Sequence, residues 1–121
     1  MSALRYPREE GEPTAPRWVT VGRTEDIPAG HAARVDIHGT AVAIVNCNGE
    51  LFAIDDTCSH AEASLSEGEL YPDECAIECP LHGSTFNLRT GEPLTLPAVE
   101  PVRAHRIAVE DGLIKVALEE D

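Results

Sequence analysis

Two short stretches of this chain bring thiol and imidazole side chains together. They are Cys58-Ser59-His60 and, after eighteen intervening residues, Cys79-Pro80-Leu81-His82. A thiolate is a soft metal ligand and a neutral imidazole a borderline one. Two such loops placed face to face make a mixed sulfur and nitrogen metal site. Gaps of one and two residues between the ligand types demand tight turns. Pro80 fixes its own φ and donates no backbone hydrogen bond, and Gly83 allows close backbone approach. Structural zinc sites usually put both Cys in one pair and both His in the other. Here each pair is mixed, which favours an iron–sulfur centre; a zinc-stabilised interaction module is the alternative.

The flanking residues extend the pattern. Asn48-Gly49-Glu50-Leu51-Phe52-Ala53-Ile54 leads into the first pair, and Leu65-Ser66-Glu67-Gly68 follows it. Phe86-Asn87-Leu88-Arg89-Thr90-Gly91 follows the second, and Leu96-Pro97-Ala98-Val99-Glu100-Pro101-Val102 supplies a proline-containing third loop. With Pro80 and Gly83-Ser84, the stretch from Trp18 to Leu118 resembles a Rieske-type [2Fe–2S] ferredoxin. The resemblance implies that Cys58 and Cys79 hold one iron and His60 and His82 the other. These four would be the cofactor and metal ligands, and no residue would be catalytic. It also implies a loop at Leu94 to Pro101 that covers the cluster, and an apolar rim of Pro80, Leu81, Ala61 and Pro97. Such a protein is not an enzyme. It carries single electrons from a flavin-dependent ferredoxin reductase to a terminal Rieske non-haem iron oxygenase, typically one that dihydroxylates aromatic rings, by transient docking. A small Rieske-like subunit of an assimilatory nitrite reductase is the second role the resemblance allows.

High-potential relatives carry two further Cys that cross-link the ligand loops, and a Tyr four residues after the second His. The matching positions here are Ala63, Leu81 and Phe86. Ser84 keeps a hydroxyl within potential reach of a sulfide. The spacer between the ligand pairs is a little long, and its excess falls in the turn-rich Tyr71-Pro72-Asp73-Glu74.

The elements that must position these loops read as short strands. Trp18–Val21 lies in a first strand within 17–22, followed by a turn over Thr24–Gly30. Strands are expected over 32–37, 40–47, 50–54, 74–79, 84–88, 103–110 and 113–118. Asn48-Gly49 and Asp111-Gly112 are two-residue hairpin signals. Ala61 to Glu69 could hold a brief helical turn. The fold class is all-β, an antiparallel sandwich or small barrel with a cluster-binding subdomain over about 56–98. Residues 1–16, with Pro7, Pro13 and Pro16, read as a flexible tail, leaving 17–121 as the Rieske domain.

At 121 residues the chain fits one domain, too short to include the non-haem iron domain of a complete oxygenase. The longest comparable apolar run is Ala41-Val42-Ala43-Ile44-Val45, far from a membrane span, and the N-terminus lacks an apolar signal region. A cytoplasmic monomer is expected. The net charge of −13, from 22 acids and 9 bases, disfavours nucleic acid and anionic membrane and suits a basic patch on a reductase or oxygenase. Cys47 and Cys75 read as buried or half-buried free thiols. His31, His38 and His105 read as exposed or internally satisfied, and Asp56 as a cap for backbone N–H groups of the first ligand loop.

These departures set the expected reduction potential. Donors near the cluster sulfurs stabilise the reduced, more negative state, and Phe86 offers no hydroxyl where high-potential relatives place one. The potential should fall in the lower part of the Rieske range of about −150 to +300 mV. Phe86→Tyr should raise it by some fraction of about 65–130 mV, the equivalent of one full charge-assisted hydrogen bond gained on reduction. Protein-film voltammetry at neutral pH decides: a wild-type value well above about +100 mV would place the protein with the high-potential group.

Overall fold

The computed structural model describes residues 17–119. The expected tail, residues 1–16, lies outside them. Nine strands follow in chain order: β1 (Val19–Arg23), β2 (Ala32–Ile37), β3 (Thr40–Cys47), β4 (Glu50–Asp55), β5 (Leu70–Tyr71), β6 (Ala76–Glu78), β7 (Thr85–Asn87), β8 (Ala104–Glu110) and β9 (Leu113–Ala117). Two single 3₁₀ turns, Thr24–Asp26 and Leu65–Glu67, interrupt them. The second falls inside the stretch where the sequence allows a helical turn.

Six strands form one antiparallel, nearly closed barrel-like sheet in the order β1-β9-β8-β4-β3-β2. Three two-residue turns build its hairpins: His38-Gly39, Asn48-Gly49 and Asp111-Gly112. Both residues of each take positive φ, 50° and 86°, 56° and 94°, 53° and 76°. That is the type I′ conformation, whose twist matches the strands it joins. Asn-Gly and Asp-Gly announce it in the sequence; His38 adopts it without that signal.

The remaining strands, β5-β6-β7, form a separate small sheet. The expected strand over 74–79 is shorter, since Pro72 to Cys75 are spent in a turn with Cys75 at φ 49°. The turn occupies the stretch where the long spacer places its excess. Strand β5 pairs through only two residues, Leu70↔Ile77 and Tyr71↔Ala76, too few for a readable alternation.

Strand β3 explains how the two sheets join. Alternate residues of a strand face opposite ways. Val42 and Ile44 pack with Ile27, Ile37, Ala53, Ile114 and Val116 inside the large sheet. Ala43, Val45 and Cys47 pack with Phe52, Ile54, Leu65, Ile77, Phe86 and Leu88 toward the small one. Both faces of the strand are covered, which is why its sequence runs apolar without alternation.

The β4–β8 ladder is only two residues long, Ala53↔His105 and Ile54↔Ala104. Side chains extend it. Asp55 accepts from Arg103 Nε at 2.9 Å and from the Arg103 backbone N–H at 3.2 Å. His105 Nδ1 accepts the Glu119 N–H at 2.9 Å. Its Nε2 therefore carries the proton and donates to Asp55 Oδ1 at 2.8 Å. The expectation that His105 is internally satisfied holds, through a carboxylate fifty residues away. His31 and His38 are exposed.

Two tests follow from this packing. A Cβ at Gly68 would lie 1.6 Å from the Glu78 carbonyl oxygen, one residue before Cys79. Backbone cannot yield there without moving the second ligand loop, so Gly68→Ala should cost more than about 2 kcal/mol. An unchanged urea midpoint would show that β6 shifts freely. The Asp55 carboxyl is pushed up by burial, but hydrogen bonds from His105 and Arg103 outweigh this and bring it from 3.8 down to about 2. A folded pKa below the unfolded one stabilises above the unfolded value, and that stability is lost as pH falls from about 4 toward 2. Asp55→Asn should therefore cost on the order of 2 kcal/mol at neutral pH, with the gap to wild type closing across that acid window. Urea unfolding at several pH values reads this directly; a gap constant with pH would assign the effect to packing.

Candidate metal centre

The first ligand loop leaves β4 through Asp56, whose side chain is 2% exposed. Asp56 Oδ1 accepts the Ser66 N–H at 2.8 Å and Oδ2 accepts the Ser64 hydroxyl at 2.6 Å. Its backbone carbonyl accepts the Leu65 N–H at 2.7 Å. The loop is closed further by Cys58 N–H to Ala63 O at 3.0 Å. Asp56 thus caps the segment that returns from the loop, in the role the sequence suggests for it.

The second ligand loop joins β6 to β7. The Cys79 N–H donates to Ser84 O at 2.7 Å and the Gly83 N–H to Cys79 O at 3.0 Å. Gly83 takes φ 81°, so the tight return needs a residue without a Cβ. Glu78, just before Cys79, accepts a hydrogen bond from the Tyr71 hydroxyl. That bond pushes the Tyr71 phenol up to about 12.

The loops bring all four candidate ligands to one end of the small sheet, in two layers. Cys58 and Cys79 are buried, at 5% and 0% exposure, and Cys79 is close enough to Cys58 to help raise its thiol. His60 and His82 are exposed. Their ring centroids stand 5.1 Å apart, edge to face at 67°. Burial pushes the Cys58 thiol up, as does neighbouring Cys79, while the His60 N–H, 3.4 Å from Sγ, draws it down. Among the described residues no three His, Cys, Asp or Glu side chains converge on one point as around a single metal ion. The donors are two pairs of different softness, sulfur inside and nitrogen outside, a set that fits a two-iron cluster with unlike ends.

The third loop is fastened to both ligand loops. Ser84, fully buried, accepts the Ala98 N–H at 2.9 Å. The Ser59 hydroxyl donates to Glu100 O at 2.6 Å, and the Thr85 N–H donates to Thr95 Oγ1 at 2.9 Å. Large apolar side chains of the second ligand loop and the third loop are exposed: Leu81 is 56% exposed, Leu96 76% and Val99 73%. Leu96 and Val99 lie in the third loop on either side of Pro97 and Ala98, and Pro97 is one of the residues expected to form an apolar rim. The sequence holds no signal for them beyond their place in the third loop.

Comparison with known proteins matches these features to a family. Residues 17–106 fit the family model of the Rieske [2Fe-2S] domain. The chain is 45% identical over 95 residues to the 3-phenylpropionate/cinnamic acid dioxygenase ferredoxin subunit of Escherichia coli strain K12, covering 78% of this chain and 88% of that one. The ferredoxin of carbazole 1,9a-dioxygenase from Nocardioides aromaticivorans IC177 superposes with a TM-score of 0.81 at 38% identity, over 84% of this chain and 98% of that one. A ferredoxin solved in complex with the oxygenase of carbazole 1,9a-dioxygenase superposes at 0.79 and 37%, over 86% and 95%. Proteins assigned as nitrite reductase small subunits share the fold at 22–23% identity, a likeness of fold alone. The zinc reading is set aside. The chain belongs to the Rieske [2Fe-2S] domain family, carries a Rieske-type cluster, and is an electron-transferring ferredoxin rather than an enzyme.

Proposed function

We propose that Cys58 and Cys79 bind the inner iron of the cluster and His60 and His82 the outer iron. The observation behind this assignment is the layering: two buried thiols beneath two exposed, mutually adjacent imidazoles. When bound, the cluster supplies a one-electron couple at a potential raised by its neutral imidazole ligands. The buried side of the site keeps water from the thiolates. Backbone N–H groups such as that of His60 stabilise their charge. The imidazoles offer the short path between the metal centre and the surface.

The chain works as the ferredoxin component of a multicomponent aromatic-ring dioxygenase. In this reading a flavin-dependent reductase loads one electron and a terminal Rieske non-haem iron oxygenase removes it, both at the apolar rim around His60 and His82. A contact that must form and part on every turnover suits a small interface. The finer features of the proposal are a cytoplasmic, monomeric carrier whose acidic surface steers it to basic patches on its partners. Among the described residues no helix is long and apolar enough to cross a membrane. Nitrite reductase subunits resemble the chain in fold only, so the ferredoxin reading has the stronger support.

The ligand assignment has a direct test. Cys58→Ser or Cys79→Ser should abolish the visible absorption of the purified protein, because hard hydroxyl oxygens are poor cluster ligands. His31→Ala and His38→Ala should keep it in full. Loss of colour in either His variant with the fold intact, by circular dichroism, would redirect the assignment.

Electrostatic steering is tested separately. The Debye length shrinks from about 30 Å at 0.01 M salt to about 8 Å at 0.15 M. If the charge of −13 guides docking, the stopped-flow association rate with a terminal oxygenase should fall on the order of tenfold over that range. A flat rate would mean that the acidic surface serves solubility alone.

A further inference from the structure

Two cysteines outside the metal centre meet across the junction of the two sheets. Cys47 ends β3 at the Asn48-Gly49 turn, and Cys75 ends the turn between β5 and β6. Their sulfurs are 2.7 Å apart although 28 residues separate them; the bonded distance is about 2.05 Å. Hydrogen bonds hold the two turns in this register. The Pro72 carbonyl accepts from the Asn48 side-chain amide at 3.1 Å, from the Cys47 thiol at 3.5 Å and from the Cys75 N–H at 3.3 Å. Arg89 closes the other side. Its guanidinium lies 5.1 Å from the centre of the Phe52 ring, 3.4 Å from Glu50 Oε2 and 3.9 Å from Cys75 Sγ.

We propose that Cys47 and Cys75 are a redox-responsive pair that closes to a disulfide by exchange with a low-molecular-weight disulfide. The two sulfurs have unequal roles. Cys75 is partly exposed, open to a small disulfide from solvent, and has the Arg89 guanidinium 3.9 Å from its sulfur. Cys47 is 1% exposed, and burial pushes its thiol up to about 11. Cys75 therefore attacks first. Its sulfur bonds to one sulfur of the small disulfide, whose S–S bond breaks and releases one thiolate. Cys47 sulfur then attacks Cys75 Sγ and releases the second. Two protein thiols are oxidised, one small disulfide is reduced to two thiols, and the two protons pass to the released thiolates. The closed bond ties the β3–β4 turn to the β5–β6 turn and encloses Cys58 and His60 in a covalent ring. In a reducing compartment the pair rests as thiols; the ring closes when small disulfides accumulate.

The test treats the cluster-loaded protein with oxidised glutathione and follows intact mass, peptide map and visible spectrum. Wild type should lose about 2 Da, the two thiol hydrogens, through a Cys47–Cys75 cross-link that a reducing thiol reverses, with the spectrum retained. Thiols counted after denaturation should fall from the four of the reduced chain to two. Cys47→Ser should stop at a glutathione adduct on Cys75, and Cys75→Ser should stay unmodified. A lasting adduct on wild type, an unchanged mass, or a bridge between Cys58 and Cys79 instead would overturn the proposal. An adduct on Cys47 in the Cys75→Ser variant would overturn the assignment of Cys75 as the attacking thiol.

Discussion

Two neighbouring carboxylates at the end of β4 hold the architecture of this protein together. Because successive residues of a strand point opposite ways, Asp55 and Asp56 serve different structures. Asp55 reaches across to Arg103 and His105 and extends a two-residue ladder into a stable junction. Asp56 turns the other way and fixes the return of the first ligand loop through Ser64 and Ser66. Every charge involved is met by a donor, which is the condition for keeping ionised groups where little water reaches them. The first metal-binding loop is thus fastened to the large sheet by its root, while its tip is held by the third loop through Ser59.

The two ligand loops are held by different means. The first relies on side-chain caps, the second on the β6–β7 hairpin and its backbone bonds. The third loop binds to both through Ser59, Ser84 and Thr85. Protein donors and acceptors are therefore used up on the inner side of the loops, and Leu81, Leu96 and Val99 are left outward. These exposed apolar side chains, on a chain that is otherwise strongly acidic, make the surface uneven. Charge acts at long range on encounter, while the apolar rim acts only on contact.

How much of this is legible in the sequence depends on how local each signal is. The ligand pairs are separated by one and two residues, so their chemistry can be read directly. Asn48-Gly49 and Asp111-Gly112 encode their hairpins within two residues. The His38-Gly39 turn escapes because His is an uncommon choice at positive φ, and β5 escapes because two residues carry no period. Asp55 with His105, and Cys47 with Cys75, meet only after the chain has folded across 50 and 28 residues. No spacing rule reaches so far. Placing Cys75 on a strand fails for a related reason: an apolar stretch reads as strand until a neighbouring Pro72 turn takes its first residues.

Strand β3 has one further consequence. Its odd-numbered core residues belong to one apolar cluster and its even-numbered ones to the other, so neither cluster can open without exposing a face of the same strand. The small sheet is not an appendage that can melt while the large one stays intact. Opening should be shared, and the slowest hydrogen exchange in the molecule should belong to the β3 amides paired with β2 and β4, Val42 to Val45, at rates set by global unfolding. A ferredoxin built this way protects its metal loops with the cooperativity of the whole chain.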